Sequence, residues 1–133
     1  MKIKNLKLIM MIVFALSFIF FSALPVFAVA VVGDLFNYPN PFNSSTHAST
    51  EIGYQLDQNA DIDIYLFSAS GEFLWRKHCV SGSSGGSGGP NTYNKVAWNG
   101  QDFSGNVVGN GMYVYFLVNN GTVLKKGRMV VFK

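Results

Sequence analysis

The side chains that could carry out catalysis are few in this 133-residue chain. There are two histidines, His47 and His78, and one cysteine, Cys79. His47 stands among serines and threonines, but a serine nucleophile also needs an orienting acid, and no nucleophile motif frames these residues. A reactive thiol at Cys79 is one alternative, because the basic residues Arg76, Lys77 and His78 stand beside it. The alternation of apolar and polar residues in this segment favours a buried strand residue instead. We therefore expect no catalytic residue and no enzymatic activity.

Metal and cofactor sites are not indicated either. The histidines and the cysteine do not show the paired spacing of a zinc site. Asp102 could contribute to a calcium site, but one carboxylate is too few for a shell of roughly six to eight oxygens. We expect Asp102 to accept hydrogen bonds from local backbone amides instead. The Gly/Ser-rich segment 81–90 lacks the Lys-Ser/Thr ending of a phosphate-binding loop. The sequence thus predicts no metal and no cofactor.

The first 30 residues predict a signal peptide for the general export pathway. Three lysines within residues 1–7 precede an uncharged apolar run, 8–24, which is followed by Pro25 and small residues. This order is typical of a cleavable signal. We expect cleavage after Ala30, with Ala28 and Ala30 as the small pair; cleavage after Ala28 is the second choice. The product is expected in the periplasm, on the cell surface or outside the cell.

An uncleaved membrane anchor is the alternative interpretation of the same segment. The uncharged run continues from Leu8 to Val32, and about 20 apolar residues suffice to span a bilayer. Membrane contact is then expected only through this segment.

The charge balance of residues 31–133 argues against a nucleic-acid partner. Three of the ten Lys and Arg residues lie in the signal segment, so seven remain against seven Asp and Glu residues. A neutral domain lacks the positive charge that phosphate binding requires. Residues 31–133 are enough for one domain with a modest core.

Apolar and polar residues alternate with a period of two along most of this domain, which is typical of half-buried strands. About seven strands are predicted, spaced about 8–12 residues apart, and no helical pattern follows residue 33. We therefore predict an all-β fold, an Ig-like or fibronectin III-like β-sandwich. The predicted strands are 35–38, 49–56, 59–67, 73–80, 92–98, 112–119 and 122–133.

Several details of this sandwich follow from the same pattern. The side chains of Phe73, Trp75 and Cys79 are expected to point inward, although the register of 73–80 is ambiguous. The segment Ser81–Pro90 is expected to be a flexible Gly/Ser loop. Asn120-Gly121 predicts a hairpin turn. The inward residues expected on the clearest strands are Ile52, Tyr54, Leu56, Ile62, Ile64 and Leu66, with Asp61 and Asp63 outward.

Three ordered pieces of the chain carry a family resemblance. The first is Tyr38-Pro39-Asn40-Pro41-Phe42-Asn43, in which the prolines fix φ and favour a rigid entry into the sandwich. The second includes Trp98 as a core anchor and Asn99-Gly100 as a chain reversal. The third is the last strand. The structural motif residues are Pro39, Asn40, Pro41, Phe42, Trp98, Asn99, Gly100, Asp102, Gly111 and Tyr113.

Together these pieces resemble the Ig-like domain of the flagellar hook-capping protein and the C-terminal sorting domains of type IX secretion cargo. The resemblance implies a non-catalytic address that secretion or outer-membrane machinery, or another surface protein, recognises. It implies that the last strand carries the sorting signal, while some of its residues also face the core. The sorting-signal candidates are Lys126, Gly127, Arg128, Met129, Val130, Val131, Phe132 and Lys133.

Two other functions stay open at this point. A free-standing periplasmic or extracellular module that binds a glycan or a protein is the alternative, and it rests on Tyr65 and Phe67, which the alternation places outward. The hook-capping function fits less well, because hook caps lack a general export signal.

Overall fold

The computed structural model describes residues 27–133, so most of the predicted signal peptide, 1–26, lies outside the described residues. Eight strands and no helix form in the described part of the chain. The strands are β1 (Val31–Tyr38), β2 (Phe42–Asn43), β3 (Thr50–Leu56), β4 (Ile62–Ser68), β5 (Phe73–Cys79), β6 (Asn94–Trp98), β7 (Gly111–Asn119) and β8 (Thr122–Phe132). Between residues 27 and 133 no helix is long and apolar enough to cross a membrane.

The strands form two sheets in the arrangement of an Ig-like sandwich. A three-stranded sheet has the order β1-β3-β6, and a five-stranded sheet has the order β2-β8-β7-β4-β5. Neighbouring strands are antiparallel, except that β2 runs parallel to β8. The chain moves repeatedly between the sheets, which is typical of this sandwich. The predicted all-β, Ig-like fold is therefore confirmed, with β2 as an additional short strand.

The core lies between the sheets and is built by alternate residues of facing strands. Ile52, Tyr54 and Leu56 of β3 are fully buried, as are Ile62, Ile64 and Leu66 of β4. Asp63, between two of these isoleucines, is partly exposed on the opposite side of its strand. The inward residues predicted from the period-two pattern are thus confirmed on both strands.

The predicted register of β5 is wrong at its start. Leu66 pairs with Trp75 and Phe67 with Phe73, so Leu74 is the extra residue of a β-bulge. The bulge turns Leu74 into the core and leaves Phe73 41% exposed. Trp75 still packs against the core, and Cys79 is buried as expected.

The Gly/Ser segment 81–90 is tied to the sandwich by hydrogen bonds, whereas its composition predicted a flexible loop. Gly85 and Gly86 are buried. The Tyr54 hydroxyl donates to the Gly85 carbonyl at 2.6 Å, and Gly89 N donates to the Leu56 carbonyl at 3.0 Å. Its glycines allow close packing, because a Cβ on Gly88 would overlap the backbone of Gln58.

The predicted hairpin turn between β7 and β8 is confirmed. Asn120 and Gly121 both have positive φ, 47° and 77°. Positive φ at both central residues matches the twist of the flanking strands.

We predict that Gly88→Ala destabilises the domain because the added methyl meets backbone that cannot move without disturbing the sheet. The expected loss in free energy of unfolding is about 1–3 kcal/mol, typical of overpacking. The measurement is urea unfolding of the purified domain. Gly109→Ala is the matched control, because a Cβ there meets nothing within 4 Å. Equal stability of the two variants would contradict the packed-loop interpretation.

Candidate functional site at the C-terminal strand

Residues 126–132 of the predicted sorting segment form the second half of β8 and alternate between core and solvent, and Lys133 follows the strand and is exposed. Met129 and Val131 are buried at 0% and 1% exposure. Lys126, Arg128 and Val130 point to the opposite side and are exposed. The segment therefore contributes to the core and presents a solvent-facing row at the same time, as the period of two requires.

The Asn40 side chain binds the backbone of this strand. Its Nδ2 donates to the Arg128 carbonyl at 3.1 Å, and its Oδ1 accepts the Val130 N–H at 3.0 Å. The amide group thus replaces one residue of a neighbouring strand on the edge of β8. Just after it, Phe42 and Asn43 pair with Val131 and Phe132. The first and third motif pieces, far apart in sequence, meet at this edge.

The second motif piece joins them through aromatic packing. The ring centroids of Phe42 and Trp98 are 6.2 Å apart, and those of Trp98 and Tyr113 are 6.1 Å apart. All three side chains are buried. Gly100 has φ of 79°, and a Cβ there would come within 2.9 Å of the Phe42 ring. A glycine at this position therefore permits both the chain reversal and the approach of Phe42.

A buried polar network beneath the Pro39–Phe42 segment was not found by sequence reasoning. Asn37 is 6% exposed and donates from Nδ2 to Thr50 Oγ1 at 3.0 Å. Its Oδ1 accepts from Asn40 Nδ2 at 3.1 Å and from the Tyr115 hydroxyl at 3.4 Å. Thr50 Oγ1 in turn donates to the Pro39 carbonyl at 2.8 Å. The network orients Asn40 toward β8. No sequence pattern indicated it, because a polar Asn37 between the apolar Phe36 and Tyr38 predicts the reverse, with Asn37 outward.

Gly127 is the small residue of the sorting segment for a steric reason. It pairs directly with Tyr115 across the β7–β8 ladder, and a Cβ on Gly127 would overlap the Tyr115 ring. An aromatic ring over a cross-strand glycine covers the exposed backbone. Burial raises the pKa of Tyr115 to about 12, so its hydroxyl remains a hydrogen-bond donor.

The turn after Trp98 is closed by Asp102, as predicted. Asp102 Oδ1 accepts the Asn106 N–H at 2.9 Å and the Ser104 N–H at 2.8 Å. These hydrogen bonds, the one from the Asn106 amide foremost, lower the pKa of Asp102. Asn99 Oδ1 accepts the Gln101 N–H at 3.2 Å, and the Tyr113 hydroxyl donates to the Gly109 carbonyl at 2.7 Å. Gly111 opens β7 after this turn.

Of the side chains considered for catalysis, His78 and Cys79 adjoin in β5 but differ in burial: His78 is exposed and Cys79 is buried. Burial raises the pKa of Cys79, which is 3% exposed. His47 Nδ1 hydrogen-bonds only to neighbouring Thr46 Oγ1, at 2.9 Å. His78 Nδ1 lies 2.9 Å from Asp63, which Arg76 also binds at 2.8 Å. Between residues 27 and 133, His, Cys, Asp and Glu side chains nowhere form a group that could hold a metal ion.

An aromatic face covers the outer side of the five-stranded sheet beside these residues. It comprises Tyr65, Phe67, Phe73, Phe103 and Phe116, with ring centroids 5.6–6.3 Å apart between neighbours. Phe103 is 73% exposed and stacks on Phe73. Tyr65 and Phe67 point outward, as the alternation predicted.

Comparison with known proteins gives structural likeness alone: no family model and no curated protein matches this chain. Dimeric latent PorU from Porphyromonas gingivalis is similar over 80% of this chain, with a TM-score of 0.59 and 18% identity. PorZ, a surface component of the type IX secretion system of the same bacterium, is similar over 74%, with a TM-score of 0.52 and 19% identity. The alkylpurine DNA glycosylase AlkC of Pseudomonas fluorescens is similar over 79%, with a TM-score of 0.55 and 15% identity.

These likenesses establish the sandwich fold and no more. The chain covers 10% of PorU, 11% of PorZ and 30% of AlkC, so each match is to one part of a longer protein. One part of a DNA glycosylase and one part of a secretion-system component both match this sandwich, which agrees with the rule that function resides in sites rather than in folds.

We predict that Asn40→Ala loosens the end of β8, because the Val130 N–H loses its acceptor and the Arg128 carbonyl its donor. The expected loss in free energy of unfolding is about 1–2 kcal/mol for two hydrogen bonds. Hydrogen exchange at the Val130 amide should accelerate more than exchange in β3. Asn110→Ala, in the exposed turn before β7, is the control. Unchanged hydrogen exchange at the Val130 amide would contradict the proposed role of the Asn40 side chain in holding β8.

Proposed function

We propose that this domain is a non-catalytic, exported interaction module whose solvent-facing row on β8 is recognised by secretion or surface-attachment machinery. The row consists of Lys126, Arg128, Val130 and Phe132, and we call it the terminal row. The observation that carries the proposal is that β8 has two roles. The side chains on its core side fix the strand, and those on its outer side remain exposed to a partner.

The charges of the terminal row support recognition by a partner. In the described part of the chain, ion pairs form between Asp63 and Arg76 or His78, and between Glu51 and Lys95. Lys126 and Arg128 take part in none of these and are exposed. Val130 and Phe132 beside them are 43% and 41% exposed. Cations next to exposed apolar side chains suit a protein partner that offers acidic and apolar groups.

The strand edge supports the same proposal. β2 covers β8 only at Val131 and Phe132, and the Asn40 amide covers Arg128 and Val130. Lys125 Nζ donates to the Gly33 carbonyl of β1. The edge is thus protected by side chains rather than by a full strand, and the side chains of Lys126 and Arg128 remain exposed to a partner.

We predict that the double variant Lys126→Glu/Arg128→Glu abolishes surface delivery while the fold is kept, because both side chains are exposed. Deletion of 126–133 is a poorer test, since it also removes Met129 and Val131 from the core. The measurement is protease shaving of intact cells of the native host, with thermal melting of the purified variant. Lys77→Glu/Lys95→Glu makes the same charge change on β5 and β6 and should be delivered normally. Normal delivery of the β8 variant would refute the proposal.

The alternative, a free-standing binding module, is favoured by the aromatic face. A shallow groove of about 420 Å³ runs along it between Tyr65, Phe67, Phe116 and Val123. Arg76 lies over the Tyr65 ring at 5.4 Å, so a cation borders the aromatic rings. Beside the groove, Phe103 stacks on Phe73, and both rings are exposed. Exposed rings with a polar border suit a sugar ring or an apolar peptide.

For this alternative we predict that the purified domain binds on a glycan array or captures a protein in a pull-down, and that Phe103→Ala removes the binding. Phe103 is 73% exposed, so its loss should not affect stability. Val107→Ala, also exposed and outside the aromatic face, should bind like the wild type. No binding in either assay would count against a free-standing binding role.

A further inference from the structure

We propose that the export signal is cut between Ala28 and Val29, the second choice of the sequence pattern, so that the mature protein begins two residues earlier than the first choice would give. The proposal requires the predicted signal peptide but is independent of the proposed recognition of β8. It concerns which residues the folded domain retains.

Val29 is part of the core. It is 7% exposed and belongs to the buried cluster between the sheets. Phe27, two residues before it, is 78% exposed, and Ala28 is exposed as well. Val29 is therefore the first buried residue in the described part of the chain. Cleavage after Ala30 would discard this side chain and leave a cavity in the core.

Ala30 is paired with the sandwich through its backbone. Its N–H donates to Asp57 Oδ1 at 2.9 Å, and its carbonyl accepts the Asp57 N–H at 3.1 Å. The backbone bond continues the β1–β3 ladder beyond the pair Val31 and Leu56, and the other bond joins the Asp57 side chain. Cleavage after Ala30 would remove both of them, whereas cleavage after Ala28 keeps both.

The chemistry at Ala28 fits a signal peptidase. Val26-Phe27-Ala28 places a small residue directly before the bond, as this class of protease requires. Water adds across the amide, leaving a carboxylate on Ala28 and an ammonium on Val29. Val29 lines a cleft of about 320 Å³ together with Asp61, Asn59 and Asn119. Phe27 and Ala28 line the same cleft and leave with the signal peptide, so the new ammonium would lie beside the polar residues that remain, the Asp61 carboxylate among them.

The test is the intact mass of the exported protein after expression of the full precursor in an exporting bacterium. We expect a species of residues 29–133. In Val29→Ala the mature species should become lighter by two methylene units, and its Tm should fall by about 5 °C. If cleavage falls after Ala30, the mature proteins from wild type and Val29→Ala are identical in mass and Tm, which would overturn the proposal.

Ala30→Leu provides a second, independent arm. If the cut precedes Val29, Ala30 is the second residue of the mature chain, and the variant should be processed like the wild type. If the cut follows Ala30, leucine occupies the position that must be small, and uncut precursor should accumulate. Accumulation of precursor, or an uncut wild-type chain, would overturn the proposal.

Discussion

The burial of Met129 and Val131 fixes the end of the chain to the sandwich, and most features of the candidate site depend on it. Because strand residues alternate, anchoring these two side chains necessarily turns Lys126, Arg128 and Val130 outward. The strand lies near the edge of its sheet, so its free backbone groups need partners. The Asn40 amide supplies them, and the buried Asn37 network holds that amide in place. The polar contacts at this edge thus follow from a packing constraint on β8.

The period-two pattern sufficed to predict the strands, the fold class and the inward residues of β3 and β4. It failed at β5, because a single extra residue, Leu74, reverses the faces of a strand and leaves no mark in the hydrophobic pattern. The two-residue β2 was missed because it is too short to show any alternation. Of the candidate site, the motif residues were predicted, but not the contacts between them. The Asn40–β8 hydrogen bonds join residues about 90 positions apart, and no local pattern encodes such a pairing.

The Gly/Ser segment shows why composition alone misleads about mobility. Glycine and serine are typical of flexible linkers because they restrict the backbone little. The same absence of a side chain lets backbone approach backbone, as at Gly88, or lets a buried tyrosine reach a carbonyl, as Tyr54 does at Gly85. A flexible linker and a closely packed loop can therefore have the same composition and differ only in their tertiary contacts. In this domain the contacts are present, so the glycines fill space that any larger residue would exceed.

The terminal row and the aromatic face belong to one continuous outer surface of the five-stranded sheet. Across the ladder, Lys126 pairs with Phe116, Phe116 with Tyr65, and Tyr65 with Arg76. The next row runs from Arg128 through Val114 to Phe67 and Phe73. Each row therefore begins with a cation on β8 and reaches the aromatic face, and the first row ends at Arg76 beyond it. The net charge of the domain, which is neutral over 31–133, does not reveal this arrangement. Asp63 on the same surface is bound by Arg76. A partner that binds the terminal row of β8 would therefore also contact the aromatic face. An addressing role and a binding role would then act through the same side of the molecule.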